Sequence, residues 1–197
     1  MATKQLKNIF LSASVPLPER DKKYINTADV IAIRDAVISL TTTVLPKHKL
    51  IWGGHPSITP LINYVMQKQK KSIQKHVKIY QSLWFKDKFP EDNNKFENIE
   101  FVEKRNDIPS SLYLLRKKML TENKFEAAVF IGGMEGVEDE YKMFKEFHPD
   151  AIIIPLASTG AATKLLFDKM KHKNERFLND YAYHHPTSTP KKAQTSP

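Results

Sequence analysis

The residues of this sequence that are best suited to chemistry are small residues that directly follow short apolar segments. Glycine lets a ligand approach the backbone closely, because it has no side chain. Backbone N–H groups at the start of a helix also attract anions. Every glycine of the chain lies in such a position: Gly53, Gly54, Gly132, Gly133, Gly136 and Gly160. This coincidence predicts that several loops together bind one phosphate-bearing ligand.

Polar and aromatic side chains near these glycines supply further candidate contacts. Arg20 matches two phosphate oxygens with its planar guanidinium group. His55 could donate to a phosphate or stack on a base, and Trp84 could cover an adenine ring. Glu140 could accept hydrogen bonds from ribose hydroxyls. The remaining candidate ligand-binding residues are Ser12, Ala13, Ser14, Ser57, Ser82, Met134, Glu135, Ser158 and Thr159.

Each candidate also has a purely structural explanation. A glycine pair after a strand is often only a tight turn. Arg20 could be a surface residue in a polar loop, and Trp84 could be a core aromatic residue. Acidic residues from Glu138 to Glu140 would be favourable at a helix N-terminus without any ligand.

Several kinds of chemistry are excluded by composition and spacing. The chain has no cysteine, so disulfides, thiolate metal sites and thiol nucleophiles are absent. No HExxH-type metal motif occurs, and the spacing of Ser, His and acidic residues does not indicate a catalytic triad. His184 and His185 lie in a polar tail and do not form a preorganised ligand set. We therefore expect no metal site.

Six short apolar segments alternate with amphipathic segments along the chain. They predict strands at Asn8 to Ala13, Lys49 to Trp52, Val77 to Tyr80, Ile99 to Val102, Ala127 to Ile131 and Ala151 to Pro155. Nearly continuous apolar runs such as AAVFI are typical of strands covered by helices on both faces. The pattern predicts an α/β protein with a mostly parallel sheet of about six strands, whose ligands bind at the carboxyl ends of the strands.

Apolar residues at intervals of three and four predict five helices between these strands. Thr27 is the expected N-cap of the first helix, and Ser110 or Ser111 that of the third. The second helix should begin after Ser57, the fourth within residues 133–140 and the fifth after Gly160. The polar segment from Phe85 to Asn98 is predicted to be a surface loop.

Length and composition favour one soluble domain. The chain has 197 residues, of which 41% are hydrophobic, and it carries a formal charge of +9. No apolar stretch approaches the roughly 18 residues of a membrane span, and no signal segment is evident, so a cytoplasmic location is expected. Residues 1–183 should form the domain. Residues 184–197 are rich in Pro, Ser, Thr and Lys, and we expect them to be disordered.

Four ordered motifs resemble the SLOG superfamily over about Asn8 to Leu166: IFLSASVP, GGHPSITPLI, FIGGMEGVEDEYKMF and PLASTGAAT. This Rossmann-like group contains the Lonely Guy phosphoribohydrolases, the DprA and Smf proteins and the ligand-sensing domains of TRPM channels. The chain is most similar to the SLOG domains associated with Sir2 and TIR defence systems. The resemblance implies a Rossmann-like three-layer sandwich that recognises NAD-derived signals such as ADP-ribose or cyclic ADP-ribose species.

The segment from Ile131 to Glu140 is similar to the phosphate-binding motif PGGxGTxxE of Lonely Guy enzymes. It contains one extra residue, and Val137 replaces the threonine. This replacement removes a hydroxyl donor for a phosphate. Glu140 matches the family's catalytic glutamate if the loop absorbs the extra residue. In an enzyme Glu140 would be catalytic, whereas in a sensor it would hold a ribose.

The resemblance implies a sensor or sequestering module in antiviral defence, with a phosphorylated nucleotide-like ligand and no required cofactor. We expect it to act through a separate effector protein or as a homo-oligomer. A first alternative is a nucleotide N-glycosidic-bond hydrolase similar to Lonely Guy proteins. A second is single-stranded DNA binding similar to DprA, through the five lysines between Lys68 and Lys78. No aromatic residues lie among these lysines to stack bases, so a nucleic-acid partner is not expected.

Overall fold

A six-stranded parallel sheet forms the centre of the protein, whose computed structural model describes residues 6–69, 73–171 and 173–180. The strands are β1 (Asn8–Ser14), β2 (Lys49–Trp52), β3 (Val77–Ser82), β4 (Ile99–Val102), β5 (Phe125–Gly132) and β6 (Ile152–Leu156). Their order across the sheet is β4-β3-β2-β1-β5-β6, and every neighbouring pair is parallel. The predicted α/β fold and the predicted strands are confirmed.

The strand order reverses direction at β1. The chain builds β2, β3 and β4 outward on one side of β1 and then returns to add β5 and β6 on the other. Leu11 of β1 is therefore in register with Trp52 of β2 on one side and with Val129 of β5 on the other. In open parallel sheets such a reversal leaves a crevice at the carboxyl ends of the central strands.

Helices cover both faces of the sheet and complete a Rossmann-like three-layer arrangement. They are α1 (Lys22–Ile25), α2 (Val30–Val44), α3 (Thr59–Lys68), α4 (Ile108–Thr121), α5 (Glu135–Phe147), α6 (Ala161–Asp168) and α7 (Arg176–Asn179). Helices α2 and α3 bury residues such as Ile33 and Ile62 against one face of the sheet. Helices α4, α5 and α6 bury residues such as Leu115, Phe144 and Leu166 against the other.

Two predicted helix caps are wrong, and an aspartate takes the position in each case. The carboxylate of Asp29 accepts a hydrogen bond from the N–H of Ala32 at the start of α2. That of Asp107 accepts from the N–H of Ser110 at the start of α4. Both aspartates have extended backbone angles, which suit an N-cap. The hydroxyl of Thr27 instead accepts a hydrogen bond from the N–H of Ala161.

The segment predicted as a surface loop between β3 and β4 is only partly exposed. It contains two 3₁₀ helices, Leu83–Lys88 and Glu91–Lys95. Phe96 is buried and packs edge-on against Trp52, with ring centroids 5.2 Å apart. The polar composition of the segment did not predict this contact, because Phe96 is one aromatic residue among polar neighbours.

Some sequence predictions concern residues outside the described part of the chain. These are the tail at 184–197, the boundary at residue 183, and Lys70 and Lys71 of the lysine cluster. Within that cluster, the side chain of Lys78 is only 19% exposed and lies 3.7 Å from the carboxylate of Glu100. Lys78 therefore faces a carboxylate of its own chain. Among the described helices, none combines the length and apolar character needed to cross a membrane.

Candidate functional site

A cavity of about 830 Å³ lies at the carboxyl ends of β1, β2, β3 and β5. Its walls also include residues of α4, α5 and the first 3₁₀ helix after β3. This volume falls in the range of small-molecule sites, roughly 300–1,000 Å³. The strand reversal at β1 accounts for its position.

The cavity brings together many of the residues predicted from the sequence to bind a ligand. Those that line it are Ala13, Ser14, Arg20, Gly53, Gly54, His55, Ser82, Met134, Glu135, Gly136 and Glu140. They come from four separate segments of the chain, at or after the carboxyl ends of β1, β2, β3 and β5. The other predicted residues do not line it: Ser12, Ser57, Trp84, Gly132, Gly133, Ser158, Thr159 and Gly160.

The exit of β6 is closed by the protein's own chain. The N–H of Ala161 donates to Thr27 Oγ1 over 2.9 Å, and the N–H of Gly160 donates to the carbonyl of Ala157. A Cβ added to Gly160 would lie 1.7 Å from the carbonyl oxygen of Thr27. These two N–H groups are thus bonded within the fold.

Gly132 and Gly133 are likewise engaged inside the protein. The N–H of Gly132 donates to Thr159 Oγ1, and the N–H of Gly133 donates to the carbonyl of Ser14. A Cβ on Gly133 would meet the side chain of Val137 at 2.2 Å. Close packing, rather than the approach of a ligand, requires glycine here.

Glu140 projects from α5 to the cavity and is held by two neighbours. Its Oε2 accepts a hydrogen bond of 2.6 Å from the hydroxyl of Ser12, a buried residue of β1. Its Oε1 lies 3.5 Å from Nε of Arg116. Burial raises the pKa of Glu140, and the Arg116 charge and the Ser12 hydrogen bond offset part of that increase. Ser12 therefore orients a cavity residue instead of lining the cavity itself.

Arg116 is a central cation of the cavity that the sequence analysis missed. It projects from α4, its side chain is 12% exposed, and Nη1 lies 3.3 Å from Oδ2 of Asp139. A Cβ on Gly136 would lie 3.0 Å from Nη2 of Arg116, so the guanidinium reaches the first turn of α5. The available signal was its position four residues after Leu112, at the border of the apolar face of α4.

The N-terminus of α5 has no side-chain cap. Unpaired N–H groups and the helix dipole make such an end attractive to anions. Glu135 in the first turn forms an ion pair with Arg20, and both side chains are about half exposed, at 48% and 50%. Pairs this exposed contribute little to stability, so either partner can be displaced by another charged group.

His55 lines the cavity as an uncharged ring. Burial lowers its pKa to about 4, so the imidazole is neutral at physiological pH. Its Nδ1 lies 2.9 Å from the hydroxyl of Ser57. Ser57 thus lies behind His55, which explains why it does not line the cavity itself.

Aromatic and aliphatic side chains form the rest of the wall. Phe85 and Phe89, from the segment after β3, line the cavity together with Leu112, Tyr113 and Met143. Phe89 also stacks on Phe101, with ring centroids 6.0 Å apart. The neighbouring Trp84 does not line the cavity, and its backbone N–H donates to Ser82 Oγ. In the 3₁₀ turn, the next residue, Phe85, lines the cavity in place of Trp84.

Comparison with known proteins identifies the family and supports the fold. The family model of the SLOG cluster3 family matches residues 23–186. The chain belongs to the SLOG cluster3 family. Its fold is similar to the X-ray structure of TM1055, Northeast Structural Genomics Consortium target VT76, with a TM-score of 0.56 and 14% identity over 87% of this chain and 89% of that chain. No curated protein matches the sequence.

SLOG membership supports a nucleotide-related binding or processing role for this protein. The cavity of this SLOG protein offers groups of the matching kinds: guanidinium groups of Arg20 and Arg116, a buried carboxylate, and aromatic rings. Among residues 6–69, 73–171 and 173–180, no group of three or more His, Asp or Glu side chains is arranged to hold a metal ion.

Proposed function

We propose that this SLOG protein binds an NAD-derived nucleotide, an ADP-ribose or cyclic ADP-ribose species, as a sensor or sequestering module in defence signalling. A separate effector or a second copy of the chain would receive the signal. The observation that carries the proposal is the cavity of about 830 Å³, in which an uncapped helix N-terminus, two arginines and an aromatic wall face one volume.

The phosphate groups would bind at the N-terminus of α5. Arg116 reaches Gly136 in the first turn of this helix, so an anion there would contact a guanidinium group and free N–H groups together. Arg20 would join once the anion replaces Glu135 as its partner. The pair is half exposed, so the exchange requires little energy.

The ribose would lie beside Glu140. A Cβ on Gly53 would be 4.0 Å from Oε1 of Glu140, so the absence of a side chain at Gly53 leaves room next to the carboxylate. Ribose hydroxyls donate hydrogen bonds that a carboxylate accepts. Phe85 and Phe89 would cover the base, because aromatic rings stack on every base with little dependence on its identity.

The experiment is calorimetric titration of NAD, ADP-ribose and cyclic ADP-ribose isomers into the wild-type protein and two variants of α4. Arg116→Met removes the cation that lines the cavity, while Lys117→Met removes the exposed neighbouring charge. We expect binding of at least one ADP-ribose species, weakened about tenfold or more in Arg116→Met and unchanged in Lys117→Met. Absence of heat for every compound, with folded wild-type protein, would refute the proposal.

A second candidate function is hydrolysis of a nucleotide N-glycosidic bond, which the buried carboxyl of Glu140 favours. Burial raises its pKa, and a raised pKa suits a general acid near neutral pH. In this reaction on AMP a water oxygen bonds to C1′, the bond from C1′ to adenine breaks, adenine takes a proton from Glu140, and the water releases a proton that restores Glu140. Adenine release from AMP that disappears in Glu140→Gln would support hydrolysis. Tight binding without turnover would favour sensing.

A further inference from the structure

His55 is held by hydrogen bonds that determine which ring nitrogen carries the proton. The backbone N–H of Ser57 donates to Nδ1 of His55 over 3.3 Å. A backbone N–H can only donate, so Nδ1 must supply a lone pair. The proton of the neutral ring is therefore on Nε2.

The hydroxyl of Ser57 strengthens this arrangement. Its oxygen accepts a hydrogen bond of 3.2 Å from the N–H of Val15 at the end of β1. The oxygen lies 2.9 Å from Nδ1 of His55, so the hydroxyl hydrogen is available for that nitrogen. The backbone N–H and the hydroxyl of Ser57 thus both point to Nδ1, and a hydrogen added to Nδ1 would clash with the hydrogens of these two donors.

We infer that His55 is a specificity-determining residue of the cavity, whose Nε2–H is a permanent neutral donor to a hydrogen-bond acceptor on the ligand. Ser57 is a positioning residue that fixes this tautomer. The inference deepens the proposed function and rests on it for the ligand, but the tautomer itself belongs to the unliganded protein.

Charged groups of the cavity do not account for the state of the ring. The charged side chains that line the same cavity are Arg20 and Glu135, which pair with each other, Arg116, Asp139 and Glu140, which form a second group, and Lys88 and Lys142. The low pKa of His55 has burial as its cause. Changes in pH between 5.5 and 8 should therefore leave the donor in place.

The tautomer is tested by long-range ¹H–¹⁵N correlation NMR of labelled protein without ligand, with His55→Gln used to assign the signal. We expect the Nε2–H form in the wild type, unchanged from pH 5.5 to 8. Ser57→Ala removes the hydroxyl donor but keeps the backbone N–H, so the Nε2–H form should remain the major tautomer. A proton on Nδ1 in the wild type, or a doubly protonated ring at pH 6, would overturn the inference.

The role in recognition is tested by ADP-ribose affinity. His55→Phe retains an aromatic ring without a donor, whereas His55→Gln retains an N–H donor. We expect affinity to fall about tenfold in His55→Phe and to stay within about threefold in His55→Gln. Equal affinity of His55→Phe and the wild type would refute the role in specificity. If the tautomer is as inferred but ADP-ribose does not bind the wild type, the proposed function fails and the tautomer stands.

Discussion

The hydroxyl of Ser12 donates a hydrogen bond of 2.6 Å to Oε2 of Glu140, across 128 positions of the sequence. Ser12 is buried in the central strand β1, which lies between β2 and β5 in the sheet. A strand residue therefore fixes the orientation of a carboxylate on a helix before any ligand arrives. Such preorganisation reduces the ordering that binding would otherwise require.

Glu140→Gln should stabilise the protein at neutral pH. Burial raises the pKa of Glu140 in the folded state, so the unfolded chain releases this proton at lower pH. Stability then falls as pH rises from the ordinary glutamate range through the folded pKa. We expect a gain of about 0.5–2 kcal/mol at pH 7.5, which disappears below about pH 4. Urea denaturation at several pH values measures it.

The matched control for this prediction is Glu146→Gln on the exposed side of the same helix. It removes one negative charge without removing a buried group, and its effect should stay within about 0.5 kcal/mol. If Glu140→Gln is no more stable than the wild type at any pH, burial of the Glu140 carboxylate does not destabilise the folded protein.

The adjacent glycines after β2 should respond differently to alanine. Gly54 has a φ of +66°, and a Cβ there would lie 2.3 Å from Nε2 of Gln81, which donates to the carbonyl of Gly54. Gly54→Ala should destabilise the protein by about 1–3 kcal/mol. Gly53→Ala finds ordinary contacts at 3.8 Å, so its stability should change little.

Ligand binding, unlike stability, should be sensitive to Gly53→Ala. A methyl group there occupies the space beside Glu140, so Gly53→Ala should weaken ADP-ribose binding about tenfold while the protein stays folded. Thermal denaturation and calorimetry measure the two effects separately. Unchanged affinity in Gly53→Ala would show that no ligand atom lies next to this glycine.

Phe89→Ala should discriminate between ligands with and without a base. Base stacking on an aromatic ring contributes about 1–3 kcal/mol, so ADP-ribose should bind about tenfold more weakly. Ribose 5-phosphate has no base, and its affinity should not change. Tyr64→Ala, which removes an exposed aromatic ring outside the cavity, is the control. Equal losses for both ligands would place the base elsewhere.

Thr27→Val should lower stability without affecting the ligand. The variant removes the oxygen that accepts from the N–H of Ala161, and an unpaired buried N–H costs about 1–3 kcal/mol. Thr43→Val, at an exposed position on α2, is the control for replacing a hydroxyl by a methyl group. A loss of ADP-ribose binding in Thr27→Val without a loss of stability would show that the segment after β6 belongs to the binding site.

The strands were predictable from the sequence because each buried strand is a short run of neighbouring apolar residues. The run from Ala127 to Ile131 is continuously apolar, and it forms the centre of β5. The glycines were harder to interpret, since a glycine is required both where a ligand approaches and where the chain packs on itself. Gly160 satisfies the second condition through Thr27, a residue distant in sequence.

Arg116 and Phe89 could not be assigned from local pattern. Arg116 enters the site because α4 lies next to α5, and this proximity is a property of the whole sheet. Phe89 lines the cavity because a 3₁₀ segment is anchored by Phe96 on Trp52. In both cases the decisive contact joins elements whose order across the sheet must be known first.

The pairing of Arg20 with Glu135 has a consequence for selectivity. Any anion that seeks Arg20 must compete with a tethered carboxylate, which is present at high local concentration. Weak, singly charged solutes would lose this competition, whereas a multiply charged one held elsewhere in the cavity would win it. The half-exposed pair would thus favour a multiply charged ligand over common singly charged cellular anions.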